Sequence, residues 1–390
     1  MKNLKDAKRA LLYTAKNYAK SVAKSILDFW RQALNREETI SFLEGSAVYE
    51  EQDEPIKLPA YRVNEKHFIK VNAFRSSKHM NTDWIDYERE YVWRLERSSK
   101  VKHLSLCSSG SILINNKILI DLDFGATAGY RDFPFKPDKL HFPVVIAPWS
   151  HLGRLGYFDF MFLVLTKLCL VEKVLGPEIL RTAKLCYPAL YTQFESEYLS
   201  KLGISRNTLV DTRSETRVTA DCVILSNNQS CLGRVSPTNL SLLRQRFMPP
   251  EPVTPKRKLL LLRKHTRRLV NQAEVVDLVR QYDFEIISDT YRTVDEQIQL
   301  FRQATVIIAP HGAALANLVW CSPGTQVVEF LNGNYSPPFF CYLCRLLDLR
   351  YDCLVDYTKG HLSHVMHKTD NVRVDIELLK KKMNQISARS

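Results

Sequence analysis

Two stretches of the chain carry groups suited to holding an anion. The first is VIIAPHGAALANLVW, residues 306–320, where an apolar run stops at Pro310, His311 and Gly312 make a corner, and the small residues Ala313 and Ala314 open a segment of helical character. Such a corner is either a tight strand-to-helix turn or an anion site. Free N–H groups and the dipole at a helix start favour negative charge, small side chains let a phosphate approach, and His311 can donate to the same anion. The second stretch is KRKLLLLRKHTRR, residues 256–268, in which seven of 13 residues are Lys or Arg and none is acidic. Lys256, Arg257 and Lys258 precede an apolar run, whereas Arg263, Lys264, Arg267 and Arg268 follow it. If the run is a parallel strand, the second group lies at its carboxyl end, where ligands bind. Guanidinium groups there suit a diphosphate through bidentate contacts; the plainer reading is a solvated basic loop. A nucleic-acid partner is not expected, because no aromatic residue is interleaved with the charge.

The elements that must position these residues alternate. Strands are expected at 259–262, 284–287, 306–309, 326–330 and 351–355, and helices at 271–281, 293–303, from about Ala313, and at 337–347. Capping-box patterns open two of the helices, Asn271 with Glu274 and Thr293 with Glu296. This alternation calls for a parallel sheet covered on both faces. Upstream, residues 61–248 read as a first α/β domain. It has a hairpin turning at Asn115 and Asn116, strands at 143–149 and 221–227, and helices at 157–175, 192–203 and 236–248. Four prolines in 249–255 make a stiff connector between the two. A tail helix at 374–386 has the length to cross back onto the first domain.

Residues 3–34 pattern as one amphipathic helix followed by an acidic, proline-bearing linker over 44–60. The net charge is +13, and nine Lys/Arg against two Asp place +7 of it in residues 1–36. A basic helix carrying Phe29 and Trp30 lies on an anionic membrane surface or packs on protein; both readings stand. The rest of the chain reads as soluble and globular, with no apolar stretch suited to spanning a membrane and no secretory signal. The Asn-x-Ser triplets at Asn228, Asn239 and Asn334 are then expected to be unused. Nine scattered cysteines suggest free thiols in a reducing compartment, and the CxxC of Cys341 and Cys344 reads as helix packing. P-loop, dinucleotide, zinc-protease and serine-hydrolase motifs are all absent.

The run YRTVDEQIQLFRQATVIIAPHGAALANLVWCSPGTQVVEF closely resembles family 61 glycosyltransferases, marked by an HGAxLxN-type segment followed by PGxxVxE. LLLLRKHTRRLVNQAEV resembles the family's strand, basic loop and Asn-capped helix. GYFDFMFLVLTKL resembles its NYxHWLxxxLPxL helix. The resemblance covers residues 140–357 and is most specific over 259–330. It implies a GT-B architecture, two Rossmann-like domains facing a cleft, divided here as 1–60, 61–248, 256–373 and 374–390. It also implies inverting transfer from a nucleotide-diphosphate sugar, without a bound metal or other cofactor. By position, His311, Gly312 and Ala313 would hold the donor diphosphate, with Asn317 one turn further in, joining them or packing within the helix. Arg263 and Lys264 would neutralise the leaving group, joined by Arg267, Arg268 and Asn271, and Glu329, ending its strand, would accept from the donor ribose or be a satisfied strand-end carboxylate. Where many members carry His this chain has Asp159, and Gly156 replaces the usual Asn, so Asp159 is the expected base with His151 the next candidate. Asp121 and Asp123 form a DLD that reads as structural. The expected partners are a nucleotide sugar and a glycan or lipid-linked acceptor. The expected setting is surface-polysaccharide synthesis on the cytoplasmic membrane face, with residues 1–36 against the lipid. The competing reading is a catalytically silent domain that binds a nucleotide sugar or glycan.

Overall fold

The computed structural model describes residues 34, 36–44, 46–51, 61–63, 67–69, 90–119, 139–148, 156–213, 217–228, 235–333, 335–337, 339–356 and 369–388. The expected N-terminal helix, His151, Asp121, Asp123 and Asn334 lie outside them. The chain divides into two compact units, one drawing on Met1–Glu54 and His79–Leu243, the other on Pro55–Lys78 and Arg244–Ser390. The proline-rich stretch 249–255 therefore belongs to the second unit. The passage between units falls within the Pro237–Phe247 helix.

The acidic stretch expected as a linker contains a strand, β1 (Ala47–Glu51). Two short strands of the second unit, β2 (Tyr61–Val63) and β3 (His67–Ile69), form an antiparallel ladder of their own. The first unit then adds β4 (Glu90–Glu96), β5 (Leu104–Leu106), β6 (Ile112–Ile114), β7 (Lys117–Ile118), β8 (Lys139–Ile146), β9 (Lys184–Tyr187), β10 (Leu209–Asp211) and β11 (Arg217–Ser226). With β1 they make a nine-stranded mixed sheet. Its longest strand, β11, runs parallel to β8 on one side and antiparallel to β4 and β5 on the other. The β6–β7 hairpin turns at Asn115 (φ 51°) and Asn116 (φ 68°). Both lie in the left-handed region that Asn tolerates best after Gly, which is why this pair can close a two-residue hairpin.

The apolar stretch at 157–175 is one continuous helix, interrupted by a π segment at Met161–Leu165 between α-helical turns at Tyr157–Phe160 and Thr166–Leu175. A π segment leaves backbone carbonyls out of the regular ladder. Here Phe162 O is met by the Thr166 hydroxyl and the Asn228 amide, each at 3.0 Å. Asn228 in turn accepts from the Asn239 amide at 2.9 Å. Two of the three Asn-x-Ser asparagines are thus buried and spent on internal hydrogen bonds.

The second unit contains the expected parallel sheet. Its strands are β12 (Arg257–Leu261), β13 (Glu285–Ile287), β14 (Ala304–Pro310), β15 (Gln326–Asn332) and β16 (Arg350–Asp356), in the order β13-β12-β14-β15-β16. Every neighbouring pair is parallel. The chain leaves β12 toward β13 and then crosses back to β14. The winding direction therefore reverses between β12 and β14, which opens a crevice at their carboxyl ends. Helices cover the sheet. Val275, Leu278 and Val279 of Gln272–Arg280 join Leu379, Met383 and Ile386 of the C-terminal helix Ile376–Ser387 over Leu260, Ile308 and Val328. The tail helix is thus part of the second unit's own core.

Helix Val294–Arg302 opens with the expected capping box: Thr293 Oγ1 accepts from Glu296 N, and the Glu296 carboxylate accepts from Thr293 N at 2.7 Å. The Asn271 box does not form. Its amide pairs with Val374 instead, donating to the carbonyl at 2.9 Å and accepting from the N–H at 3.0 Å. The segment after Gly312 is a 3-10 helix, Ala313–Trp320, where an α-helix was expected. Among the described residues all eight cysteines are free, and Cys341 and Cys344 are buried in the Phe339–Leu346 helix.

Candidate functional site

The carboxyl ends of β12 and β14 bring both anion-suited stretches together. His311 extends β14 by one more bond, its N–H donating to Phe330 O at 2.9 Å. Gly312 follows in extended backbone (φ 173°) that any residue adopts, so conformation does not require a glycine there. Contact does. A Cβ at Gly312 would fall 1.5 Å from Arg263 Nη1 and 2.7 Å from its Cζ. The guanidinium from the end of β12 lies directly over the bare Cα at the end of β14.

Arg263 is half-buried. Among the described residues its hydrogen bonding is limited to Nε, which donates to Thr266 O at 2.8 Å. Its terminal amino groups are thus available to a ligand. Burial, and then the neighbouring Arg267 cation, hold its guanidinium below the ordinary range. Burial likewise lowers Arg267, with Tyr335 and Glu329 opposing. Two half-buried cations side by side repel in a medium of reduced dielectric, and an anion placed between them relieves that repulsion. Arg267 stands in left-handed backbone (φ 57°), with its guanidinium over the Tyr335 ring at 5.8 Å. Lys264 is exposed, its backbone N–H held by Asp289 at 3.1 Å. Arg268 is exposed too. Its backbone pairs with Asn371 and Val372, so residues 369–374 clamp the basic loop from outside.

Beneath the corner is a buried polar triad. Glu329 was expected to end its strand and face a ribose, but it lies inside β15 and is 0 % exposed. His311 Nδ1 donates to one carboxylate oxygen at 2.5 Å and the Tyr351 hydroxyl donates to the other at 2.6 Å. The parallel register explains the convergence. Glu329 is level with Ala309 on β14 and Cys353 on β16, so His311 and Tyr351 each stand two residues away on the same face. Burial, and then the Glu329 carboxylate, push the Tyr351 phenol well above its ordinary value, so it remains a donor. With Nδ1 engaged, Nε2 is the ring nitrogen of His311 that can meet a ligand. The imidazole is 5 % exposed and packed against Tyr335 and Phe340, which fixes its plane.

Other expected site residues fall elsewhere. The Asn317 amide donates to Gln297 Oε1 at 2.9 Å and its oxygen accepts from Trp320 Nε1 at 3.1 Å, so its polar atoms are spent inside the fold. Asn271, as described, braces Val374. Ala313 is partly exposed in the first turn of the 3-10 helix. Asp159 is in the other unit, partly exposed in the first turn of the 157–175 helix after an N-cap Gly156 without a side-chain cap. Tyr335, Tyr351 and the 369–374 clamp carry no motif. Only strand register and loop packing bring them to the site. Among the described residues no group of three or more His, Cys, Asp or Glu is placed to hold a metal ion, and no helix is long and apolar enough to cross a membrane.

Residues 143–328 match the family model described as Glycosyltransferase 61. The matched stretch includes the basic loop and the His311 corner. A 114-residue part is 28% identical to a protein of Oryza sativa subsp. japonica named Beta-1,2-xylosyltransferase RCN11, covering 27% of this chain and 21% of that protein. The chain thus matches about a fifth of that relative's length.

The triad makes a stability prediction. Tyr351→Phe leaves one oxygen of a fully buried carboxylate without its donor, a loss of about 1–3 kcal/mol. The denaturation midpoint should fall by the equivalent amount. An unchanged midpoint would mean that Glu329 does not depend on this bond.

Proposed function

We propose that the protein is an inverting glycosyltransferase whose second unit binds the diphosphate of a nucleotide sugar at the β12/β14 crevice. The observation that carries this reading is Arg263 lying over Gly312, beside Arg267 and the His311–Glu329–Tyr351 triad, with Arg263, Arg267, His311 and Gly312 in the stretch that matches the family 61 model. An acceptor hydroxyl attacks the anomeric carbon from the face opposite the diphosphate. The new C–O bond forms with inversion while the bond to the diphosphate oxygen breaks, and the electron pair stays on the departing nucleoside diphosphate. Half-buried Arg263 and Arg267 stabilise that charge as fixed cations, and exposed Lys264 adds to them. The Gly312 and Ala313 backbone and His311 Nε2 complete the cradle. The acceptor proton passes to a general base, for which Asp159, a carboxylate at the helix position where the resembled family often has His, is the candidate. Glu329 positions His311 and does not meet the donor. The acceptor is a glycan or lipid-linked glycan of a surface polysaccharide, handled at the cytoplasmic membrane face with residues 1–36 against anionic lipid.

Gly312→Ala tests the cradle. The atoms in its way are the far end of a flexible arginine, so the fold should survive while the guanidinium is displaced. Affinity for nucleoside diphosphates, read by calorimetry over UDP, GDP, ADP and CDP, should fall by about tenfold to a hundredfold, the worth of a lost charged hydrogen bond. Arg263→Ala should match it, and unchanged affinity in both variants would remove the diphosphate site. Asp159→Asn should leave nucleotide affinity intact and lower the turnover of donors, UDP-xylose included, by about a hundredfold or more. Undiminished turnover would exclude Asp159 as the base. Deletion of residues 1–36 should abolish co-sedimentation with anionic liposomes, and unaltered sedimentation would refute the membrane role.

A further inference from the structure

The first unit contains a second feature that the donor site does not use. After β9, the chain turns into the Gln193–Lys201 helix through Tyr191, which stands in left-handed backbone (φ 54°). A bulky side chain is disfavoured there, and glycine or asparagine would fit without penalty. The conformation is imposed by Glu195, which is buried at the third position of the helix. Its carboxylate accepts from Leu190 N at 2.9 Å, from Tyr191 N at 2.7 Å and from the Tyr187 hydroxyl at 2.5 Å. Burial, and then Glu195, raise the Tyr187 phenol well above its ordinary value, so that it too remains a donor.

The strained tyrosine is not repaid by burial, since it is 65 % exposed. It is held in place from the neighbouring strand end. The Arg213 guanidinium lies over the ring, 5.9 Å from its centroid. Arg213 is itself anchored by Asp211, through Nε at 3.2 Å and its backbone N–H at 3.0 Å, and by a bond to Ala189 O. Tyr191 thus follows the carboxyl end of β9, and Arg213 that of the adjacent parallel strand β10. Beside them opens a cavity of about 800 Å3 whose wall mixes polar Gln193, Ser196, Ser200 and Arg206 with apolar Leu199 and Ile204.

A rigid, exposed aromatic face beside a cavity that mixes hydroxyl-bearing and apolar side chains suits an amphipathic ligand. A pyranose ring offers an apolar C–H face to stack on Tyr191 and pack on the aliphatic side chains, and hydroxyls to meet Gln193, Ser196, Ser200 and Arg206. We infer that Tyr191 is the stacking platform of a saccharide subsite in the first unit, with Arg213 fixing the ring and Glu195 fixing its backbone. Given the glycosyltransferase reading, on which this assignment of role rests, the subsite receives the acceptor glycan.

The test uses the full chain and a panel of gluco-, manno-, galacto- and xylo-configured tetrasaccharides, followed by saturation-transfer NMR, with UDP, GDP, ADP and CDP measured on the same samples. At least one tetrasaccharide should bind the native protein. Tyr191→Gly should weaken it by about tenfold, while the melting temperature stays level or rises because the backbone strain is relieved. Tyr191→Phe should restore binding. A panel without any ligand for the native protein, or a saccharide bound equally by Tyr191→Gly, overturns the subsite. Nucleotide binding without saccharide binding would sink this inference alone. Saccharide binding that depends on Tyr191, with no nucleotide bound, would sink the glycosyltransferase reading and leave the subsite standing.

Discussion

A carboxylate inside a parallel sheet has no water to solvate it, and Glu329 is therefore met from both neighbouring strands. The penalty for leaving such a group unpaired exceeds the gain from any one hydrogen bond, so the arrangement around it is tightly constrained. His311 from β14 and Tyr351 from β16 both donate to it. Those bonds set the imidazole plane and hold the chain at the end of β14. That fixes where Gly312 stands, and the bare Cα of Gly312 decides where the Arg263 guanidinium can lie. The cationic crevice therefore depends on a residue that does not line it.

Much of the second unit was legible because its signals are local. Apolar runs alternating with helical periods specified five strands, and the Thr293 capping box sits where its spacing puts it. The hairpin at Asn115 and Asn116 was equally plain, since a two-residue turn needs residues that accept positive φ. The HGA corner and the basic loop could be placed at strand ends for the same reason. Their approach to one another follows from strand order, with β12 next to β14, which local patterns do not encode.

Illegible features were the ones decided by register or by competition for hydrogen bonds. Glu329 stood near the end of a strand expected to stop at Phe330, whereas β15 runs on to Asn332. Its partners are two register positions away on strands whose alignment no local motif announces. Asn271 looked like a cap, but the backbone of Val374 offers its amide both a donor and an acceptor, two bonds in place of one. Asn317 carries the resemblance to the family motif, yet its polar atoms tie Gln297 and Trp320 together. A motif position can thus serve to tie elements of the fold together.

Gly312 and Tyr191 invert the usual reading of backbone conformation. Gly312 has ordinary extended geometry, and its missing side chain is explained by the arginine that occupies the space. Tyr191 has the geometry that favours glycine, and its large side chain has no burial to justify it. Stability alone would suit a side chain at the first position no worse than a glycine, once the arginine moved aside, and a glycine at the second. Each residue runs against what folding requires, one to let a cation approach and the other to present a ring. Departures from local preference of that kind concentrate where a protein holds something other than itself.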